Sequence, residues 1–192
     1  MSPSAKGGYP IHFLAVAILL SLGFFMALGF WPPSPPGVRA TEAYRKEIRK
    51  KQDAIAQVSS LLDLIHHVSD LEQEGLMATC LELIQGSLVP GSEADERALY
   101  AAVDRRTRSG LRPFTEVLRY ERHTMDRWTE ELSSMASESM PDHNVFCLRA
   151  ERLMGLVESH LGAIEDILLP ILDRSMTPAQ FRREVETGRG LN

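Results

Sequence analysis

Apolar residues at helical spacing dominate the segment from Asp142 to Asp173. On a wheel of 3.6 residues per turn, one face collects Phe146, Leu153, Leu156, Val157, Ile164, Ile167, Leu168 and Ile171. His160 falls near the middle of that face. The pattern predicts a long amphipathic helix that withdraws a titratable imidazole from water.

Three further segments show helical periodicity. We predict one helix from Thr41 to about Gln85, a short helix over 93–108, and a third over 114–135. The first has a heptad pattern typical of a coiled coil, interrupted by polar residues at Ser69, Glu72 and Thr79. A capped tail helix should cover 177–186. Since no segment alternates like a strand, the pattern predicts an all-α, antiparallel four-helix bundle.

The N-terminal segment predicts a membrane anchor ahead of this bundle. Residues 11–31 carry no formal charge when His12 is neutral, and 21 helical residues span roughly 30 Å, the thickness of a bilayer core. The alternative is a cleaved signal peptide, which is disfavoured because no small-x-small site follows the apolar run. The predicted fold class is therefore all-α, with an N-terminal transmembrane helix followed by the four-helix bundle.

The predicted domain organisation follows from the same pattern. A short tail, residues 1–10, precedes the anchor, and a proline-rich linker, residues 32–40, follows it. A charged stalk helix over 41–60 continues into the bundle, residues 61–187, and residues 188–192 form a tail.

The predicted location is the inner membrane, with a single span. Basic residues after the span would place the bundle in the cytoplasm by the positive-inside rule. However, the nearest of them, Arg39, lies eight positions beyond Trp31, and a short N-terminal tail with one lysine is typical of a signal-anchor. We therefore expect the bundle on the periplasmic side, and the cytoplasmic alternative stays open.

Charge divides the chain into two unlike parts. Residues 1–51 hold seven Lys and Arg against two Asp and Glu, whereas residues 52–192 hold 14 Arg, no Lys and 24 Asp and Glu. The net charges are thus +5 and −10. An acidic body argues against nucleic acid as a partner, because phosphate binding needs a basic surface. The basic stem suits anionic lipid headgroups.

The stalk predicts a protein partner. Ile48, Ile55 and Leu62 form a narrow apolar seam on an otherwise charged helix. We expect a single chain to leave this seam uncovered, so it should be buried in a parallel homodimer or against another protein.

Polar residues at apolar positions are the candidates for chemistry. Glu72, Glu121 and His160 interrupt their apolar faces, and His66 and Arg106 lie at the edges of theirs. Carboxylates and imidazoles that project inward from different helices build non-haem metal sites in bundles. A buried ion pair that fixes helix register is the alternative.

Two family resemblances bear on this choice. The sequence HLGAIEDILLP at 160–170 resembles the last helix of hemerythrin-like bundles, which implies His160 and Glu165 as a ligand pair and His66 or His67 as the histidine of the first helix. The family's HxxxE and HxxxH motifs are absent. With Glu72 and Glu121 added from their positions on the apolar faces, the predicted ligand set is His66, Glu72, Glu121, His160 and Glu165, binding non-haem iron or another divalent metal. MTPAQF at 176–181 is similar to the LTxxQ segment of periplasmic metal-stress proteins.

The sequence favours a binding protein over an enzyme. It contains no GxSxG, HExxH or Walker motif, and no cofactor is firmly predicted. The leading interpretation is a membrane-anchored helical accessory, sensor or assembly subunit that acts through protein–protein contacts. The alternative is a divergent hemerythrin-like metal-binding protein.

Overall fold

The computed structural model describes residues 39–88, 96–138 and 141–187. These ranges belong to one compact unit that begins at Pro36. Their regular structure is helical throughout, which confirms the all-α prediction for this part of the chain. The helices are α1 (Glu42–Ile65), α2 (Asp70–Leu83), α3 (Ala101–Arg106), α4 (Arg112–Ala136), α5 (His143–Ala163), α6 (Leu169–Ser175) and α7 (Pro178–Phe181).

Four π turns extend these helices. They cover Ile84–Leu88, Glu96–Tyr100, Ile164–Leu168 and Arg182–Glu186. The third joins α5 to α6 without a break, so one helix runs from His143 to Ser175. Each π turn widens the helix by closing i→i+5 hydrogen bonds.

The long helices pack in a closed ring. α1 packs on α2, α2 on α4, α4 on α5, and α5 on α1. Glu131 pairs with Arg149 near one end of α4, and Glu121 contacts His160 nearer the other, so α4 and α5 are antiparallel. The core between the helices is built from fully buried side chains, including those of Ile65, Met77, Leu118, Leu132 and Phe146.

The first predicted helix is in fact two helices. The expected continuous helix from Thr41 to Gln85 is wrong, because the chain turns at His66–Ser69 and α2 folds back onto α1. Ser69 and Glu72 form a capping box that begins α2. Gln73 closes the turn by donating from Nε2 to the carbonyl oxygen of Ile65 at 2.8 Å.

This fold-back covers the seam predicted for a partner. Ile48, Ile55 and Leu62 are all buried within this one chain. The expectation that a single chain leaves them uncovered is wrong, because α2 and α5 both pack on α1. The seam therefore belongs to the chain's own core and offers no surface for a parallel dimer.

The membrane part of the prediction is also corrected. None of the helices in the described ranges is both long and apolar enough to cross a bilayer, since the longest, α1 and α4, carry charged residues along their length. The predicted fold class, a transmembrane helix followed by a four-helix bundle, is therefore wrong as stated, and so is the single-pass inner-membrane location. The predicted span, residues 11–31, lies outside the described residues, as do residues 1–10 and 32–38. The proposed domain boundaries stay predictions.

Candidate functional site

A buried chain of polar side chains lies at the centre of the helical core. His160 on α5 is only 7% exposed and stands between two partners. Its Nδ1 lies 3.0 Å from Oε2 of Glu121 on α4, and its Nε2 lies 3.0 Å from the hydroxyl oxygen of Tyr100. Tyr100 is fully buried at the end of the second π turn. The expectation that His160 is withdrawn from water is confirmed, and its carboxylate partner is Glu121.

The two partners suggest one arrangement of protons. A carboxylate can only accept, so in the neutral imidazole the Nδ1–H donates to Glu121. Nε2 then accepts the hydroxyl proton of Tyr100. Both ring nitrogens of His160 are satisfied in this way, which a buried imidazole requires.

Tyr100 is held from its other side by α4. The guanidinium carbon of Arg119 lies 5.7 Å from the centroid of the tyrosine ring, within the range of a cation–π contact. Nη2 of Arg119 in turn lies 3.5 Å from Asp104, which accepts a hydrogen bond from the hydroxyl of Thr115 at 2.9 Å. These contacts fix the ring of Tyr100 and therefore the position of its hydroxyl.

A small cavity of about 30 Å³ lies beside this chain of residues. Its polar lining comes from Tyr44, Glu47, Lys51, Tyr100, Arg122 and His160. Apolar side chains, including those of Leu88 and Ile164, complete the wall. A space of this size holds about two water molecules.

Glu165, the second residue of the predicted ligand pair, lies in a different cluster. Its Oε1 accepts a hydrogen bond from Nη1 of Arg45 at 3.4 Å. Nη2 of Arg45 donates to Asp173 at 3.3 Å, and the amide and hydroxyl of Thr41 donate to the same carboxylate at 3.0 Å. The side chain of Thr41 therefore does not cap α1. It joins the beginning of α1 to the end of α6.

His66 and Glu72 lie at the turn between α1 and α2, where both are exposed. Oε2 of Glu72 accepts hydrogen bonds from the hydroxyl of Ser69 at 2.6 Å and from its amide at 3.0 Å. These bonds lower the pKa of the Glu72 carboxyl. The polar interruptions of the heptad at Ser69 and Glu72 thus mark the beginning of α2.

The five predicted metal ligands do not converge. The structure brings together Glu121 and His160, whereas Glu165 binds Arg45 and the remaining two lie at the exposed turn. Within residues 39–88, 96–138 and 141–187, no group of three or more His, Cys, Asp or Glu side chains is placed to hold a metal ion.

The two cysteines are buried and free. Burial raises the pKa of the Cys80 thiol to about 12, and the neighbouring Cys147 contributes to the shift. Burial also raises the pKa of Cys147. A thiol that resists ionisation is a poor nucleophile, so both residues act as small apolar side chains.

An open groove runs along the surface between α1 and α2. Gln57, Ser60 and Leu61 line it from α1, and Thr79, Glu82 and Leu83 line it from α2. The groove offers about 530 Å³ of space, far more than the cavity beside His160. Leu64, which is about half exposed, follows Leu61 by one helical turn towards the α1–α2 turn.

Sequence reasoning missed two residues of the central site. Tyr100 lies three residues before the buried Val103, so helical spacing could have included it. Arg122 lies four residues after Leu118 and three before Met125, so its position on the apolar face of α4 could have revealed its burial.

Comparison of the chain with protein-family models, with curated proteins and with solved structures gave no match.

Proposed function

We propose that this protein is a non-enzymatic helical adaptor that acts through protein–protein contacts. Its binding surface is the groove between α1 and α2, and its partner presents an amphipathic helix with basic residues beside the apolar stripe. The open groove, which Leu61 and Leu83 line, is the observation that carries this proposal.

The shape of the groove suits a helix. Leu61 and Leu83 are partly exposed on its two sides, so apolar surface remains available for a partner. The short side chains of Ser60 and Thr79 also line the groove and allow another backbone to approach closely. Amphipathic helices bind such grooves through apolar side chains spaced three and four residues apart.

The charge around the groove favours a basic partner. Glu82 lines the groove, and the exposed Asp53 lies one turn before Gln57 on the same stripe of α1. The chain beyond residue 51 carries ten more acidic than basic residues. Complementary charge raises the association rate and excludes acidic competitors.

The central site supports a non-enzymatic role. Tyr100 and His160 could exchange a proton, but both side chains are buried. The adjoining cavity of about 30 Å³ is roughly tenfold smaller than pockets that hold organic ligands, which begin near 300 Å³. We therefore assign this chain of residues to the architecture of the core.

The test uses two synthetic peptides and the full chain. One peptide is an amphipathic helix with leucines at i, i+3, i+4 and i+7 and flanking lysines, and the other carries glutamates in place of the lysines. Fluorescence anisotropy should show binding of the lysine peptide, weakened about tenfold or more in Leu61→Arg or Leu83→Arg, a loss of at least ~1.4 kcal/mol.

Val117→Arg is the matched control, because Val117 is an exposed apolar residue on α4, outside the groove. It should bind the lysine peptide as the wild type does. Equal binding of the two peptides, or unchanged binding by both groove variants, would contradict the proposal.

A further inference from the structure

We infer that the outer face of α5 is an interface through which two copies of this chain form a parallel dimer. This inference goes beyond the adaptor proposal, because the outer face of α5 and the α1–α2 groove share no residue. It also concerns a different surface from the apolar seam of α1, which is buried in the core.

Exposed apolar side chains begin this face. Leu148 is 48% exposed and Val145 is 41% exposed, and they lie about one turn apart near the beginning of α5. Gly155 and Gly162 follow Leu148 at intervals of seven residues. Since seven residues turn an α-helix through two full circles less about 20°, these three residues share one line. Leu148 and Gly155 are exposed and Gly162 is partly exposed, so the line faces away from the core.

The two glycines leave room for a second helix beside Leu148. A Cβ atom added to Gly155 or Gly162 would have no other atom within 4 Å, so packing inside the chain does not account for either residue. Glycine in the interior of a helix is destabilising relative to alanine, and it occurs where another backbone approaches closely. The apolar contact of the interface comes from Leu148, and the glycines let the two helix axes come near each other.

Charges on the two sides of this line favour a second copy as the partner. At about 100° per residue, Glu151 lies roughly 40° to one side of Gly155, and Arg152 lies roughly 60° to the other. Glu158 follows on the side of Glu151, and Ser159 follows on the side of Arg152. All four side chains are exposed, and within the described ranges neither Glu151 nor Arg152 has an ion-pair partner. The two sides are therefore complementary to each other.

The same charges select the direction of the pair. In a parallel dimer with a two-fold axis, the Glu151 side of each helix faces the Arg152 side of the other, so two ion pairs form. Each Glu158 then accepts a hydrogen bond from the hydroxyl of the partner's Ser159. In an antiparallel dimer like sides would meet, and the carboxylates of Glu151 and Glu158 would face their own copies. Juxtaposed like charges oppose association, so the parallel arrangement is favoured.

Sedimentation equilibrium of the full chain tests for the dimer. We expect a monomer–dimer equilibrium in the micromolar range, because interfaces that bury less than about 1,200 Å² are typical of weak complexes. Leu148→Arg should weaken association about tenfold or more. Val117→Arg is the matched control, because Val117 on α4 is also 48% exposed, and it should associate as the wild type does. A monomer at every concentration, or unchanged association in Leu148→Arg, would overturn the inference.

Exchange of the two charges tests the pairing across the interface. Arg152→Glu should weaken the dimer about tenfold, because glutamates then face each other. Adding Glu151→Arg should restore association, because the ion pair is rebuilt with its charges exchanged. Arg127→Glu, at an exposed position on α4, should leave association unchanged. A double variant that associates no more tightly than Arg152→Glu alone would contradict the pairing.

Cross-linking tests the direction. Gly162 lies opposite its own copy in the parallel dimer, whereas it would lie opposite Leu148 in an antiparallel dimer centred on Gly155. Gly162→Cys should therefore form an intermolecular disulfide with diamide, which takes up the two electrons and two protons released by the pair of thiols. Ala56→Cys, at an exposed position on α1, should not do so. A Gly162→Cys protein that stays monomeric in denaturing electrophoresis would exclude the parallel arrangement.

Discussion

Nδ1 of His160 lies 3.0 Å from Oε2 of Glu121, and this contact joins α5 to α4 inside the helical core. The imidazole also reaches the hydroxyl of Tyr100 through Nε2, so one side chain satisfies groups on two other elements. Removing the imidazole breaks both of these contacts.

His160→Leu should therefore destabilise the protein even though leucine suits the apolar surroundings. The variant removes His160 as the hydrogen-bond partner of the buried Tyr100 hydroxyl, and losing such a partner costs about 1–3 kcal/mol. The lost contact with Glu121 contributes less to the destabilisation, because the Glu121 side chain is 25% exposed and can be hydrated. We expect a loss of about 2–3 kcal/mol in the free energy of unfolding, measured by urea denaturation.

A second substitution tests whether the lost contact with Tyr100 causes the destabilisation of His160→Leu. Adding Tyr100→Phe to His160→Leu should recover part of the lost stability, because it removes the hydroxyl that has lost its contact with His160. His123→Leu is the matched control on the exposed surface of α4, where we expect a change within about 0.5 kcal/mol. A His160→Leu protein as stable as the wild type would show that the ring does not hold these partners together.

Arg45→Met should be the most damaging change at a charged residue of α1. Arg45 is buried and binds both Glu165 and Asp173, and the Asp173 side chain is only 10% exposed. Removing one member of a buried pair costs about 3–5 kcal/mol, because the other charge stays buried. Thr41 still donates to Asp173, so we expect the lower part of that range in chemical denaturation.

Arg49→Met gives the comparison for this prediction. Arg49 pairs with Glu42 at 3.1 Å, and both side chains are more than half exposed. Exposed pairs contribute about 0–1 kcal/mol. If the two variants lose equal stability, the cluster around Arg45 does not have the role assigned to it.

Ser69→Ala should weaken the turn between α1 and α2. Ser69 begins α2, and loss of a capping side chain costs about 1 kcal/mol. Amide exchange at the beginning of α2 should accelerate before the rest of the protein is affected, because the cap acts locally. A uniform acceleration across α4 and α5 would contradict a local role.

Glu72 should make the stability of the fold depend on pH. Its pKa is lowered in the folded state by hydrogen bonds from Ser69, below the ordinary value of 4.5. The carboxylate therefore stabilises the fold above that value, and the contribution is lost as the pH falls through the lowered pKa. Unfolding midpoints between about pH 3 and about pH 7 should show this loss in the wild type and a smaller one in Glu72→Gln. An identical profile in the variant would exclude Glu72 as its source.

Both thiols should be protected from alkylation in the native protein. Because burial raises the pKa of Cys80 to about 12, its thiolate is scarce at neutral pH. Mass spectrometry after treatment with iodoacetamide should show little labelling under native conditions and labelling of both cysteines in denaturant. Rapid native labelling of Cys80 would contradict the burial of α2 against the core.

The sequence was sufficient where periodicity decided the outcome. It predicted the long helix around His160 and the inward direction of the imidazole, because both follow from 3.6-residue spacing. It misplaced the end of the first helix, because apolar residues resume the heptad spacing after Ser69 and Glu72, so the capping signal of these two residues resembles a polar interruption of one helix. A heptad pattern shows which face of a helix is apolar, but it does not show where the chain turns back.

The ligand set could not be predicted for a related reason. Glu165 lies five residues after His160 and follows the spacing of the hemerythrin-like pattern, but five residues correspond to about 140° around an α-helix. Its carboxylate meets Arg45 on α1 and not Glu121. The hydrogen bond between Tyr100 and His160 joins residues that are 60 positions apart, and local sequence patterns do not reveal such contacts.

The π turn at Ile164–Leu168 sets the direction of the side chains that follow it. Each residue of an α-helix advances the direction of its side chains by about 100°, and a π turn absorbs one extra residue. Upstream of it His160 faces the centre of the core, and downstream of it Asp173 meets Thr41. Deleting a single residue within the turn would allow an ordinary α-helix to form, and both His160 and Asp173 would keep their directions. An insertion at the same place would instead turn Asp173 about 100° away from Thr41 on α1.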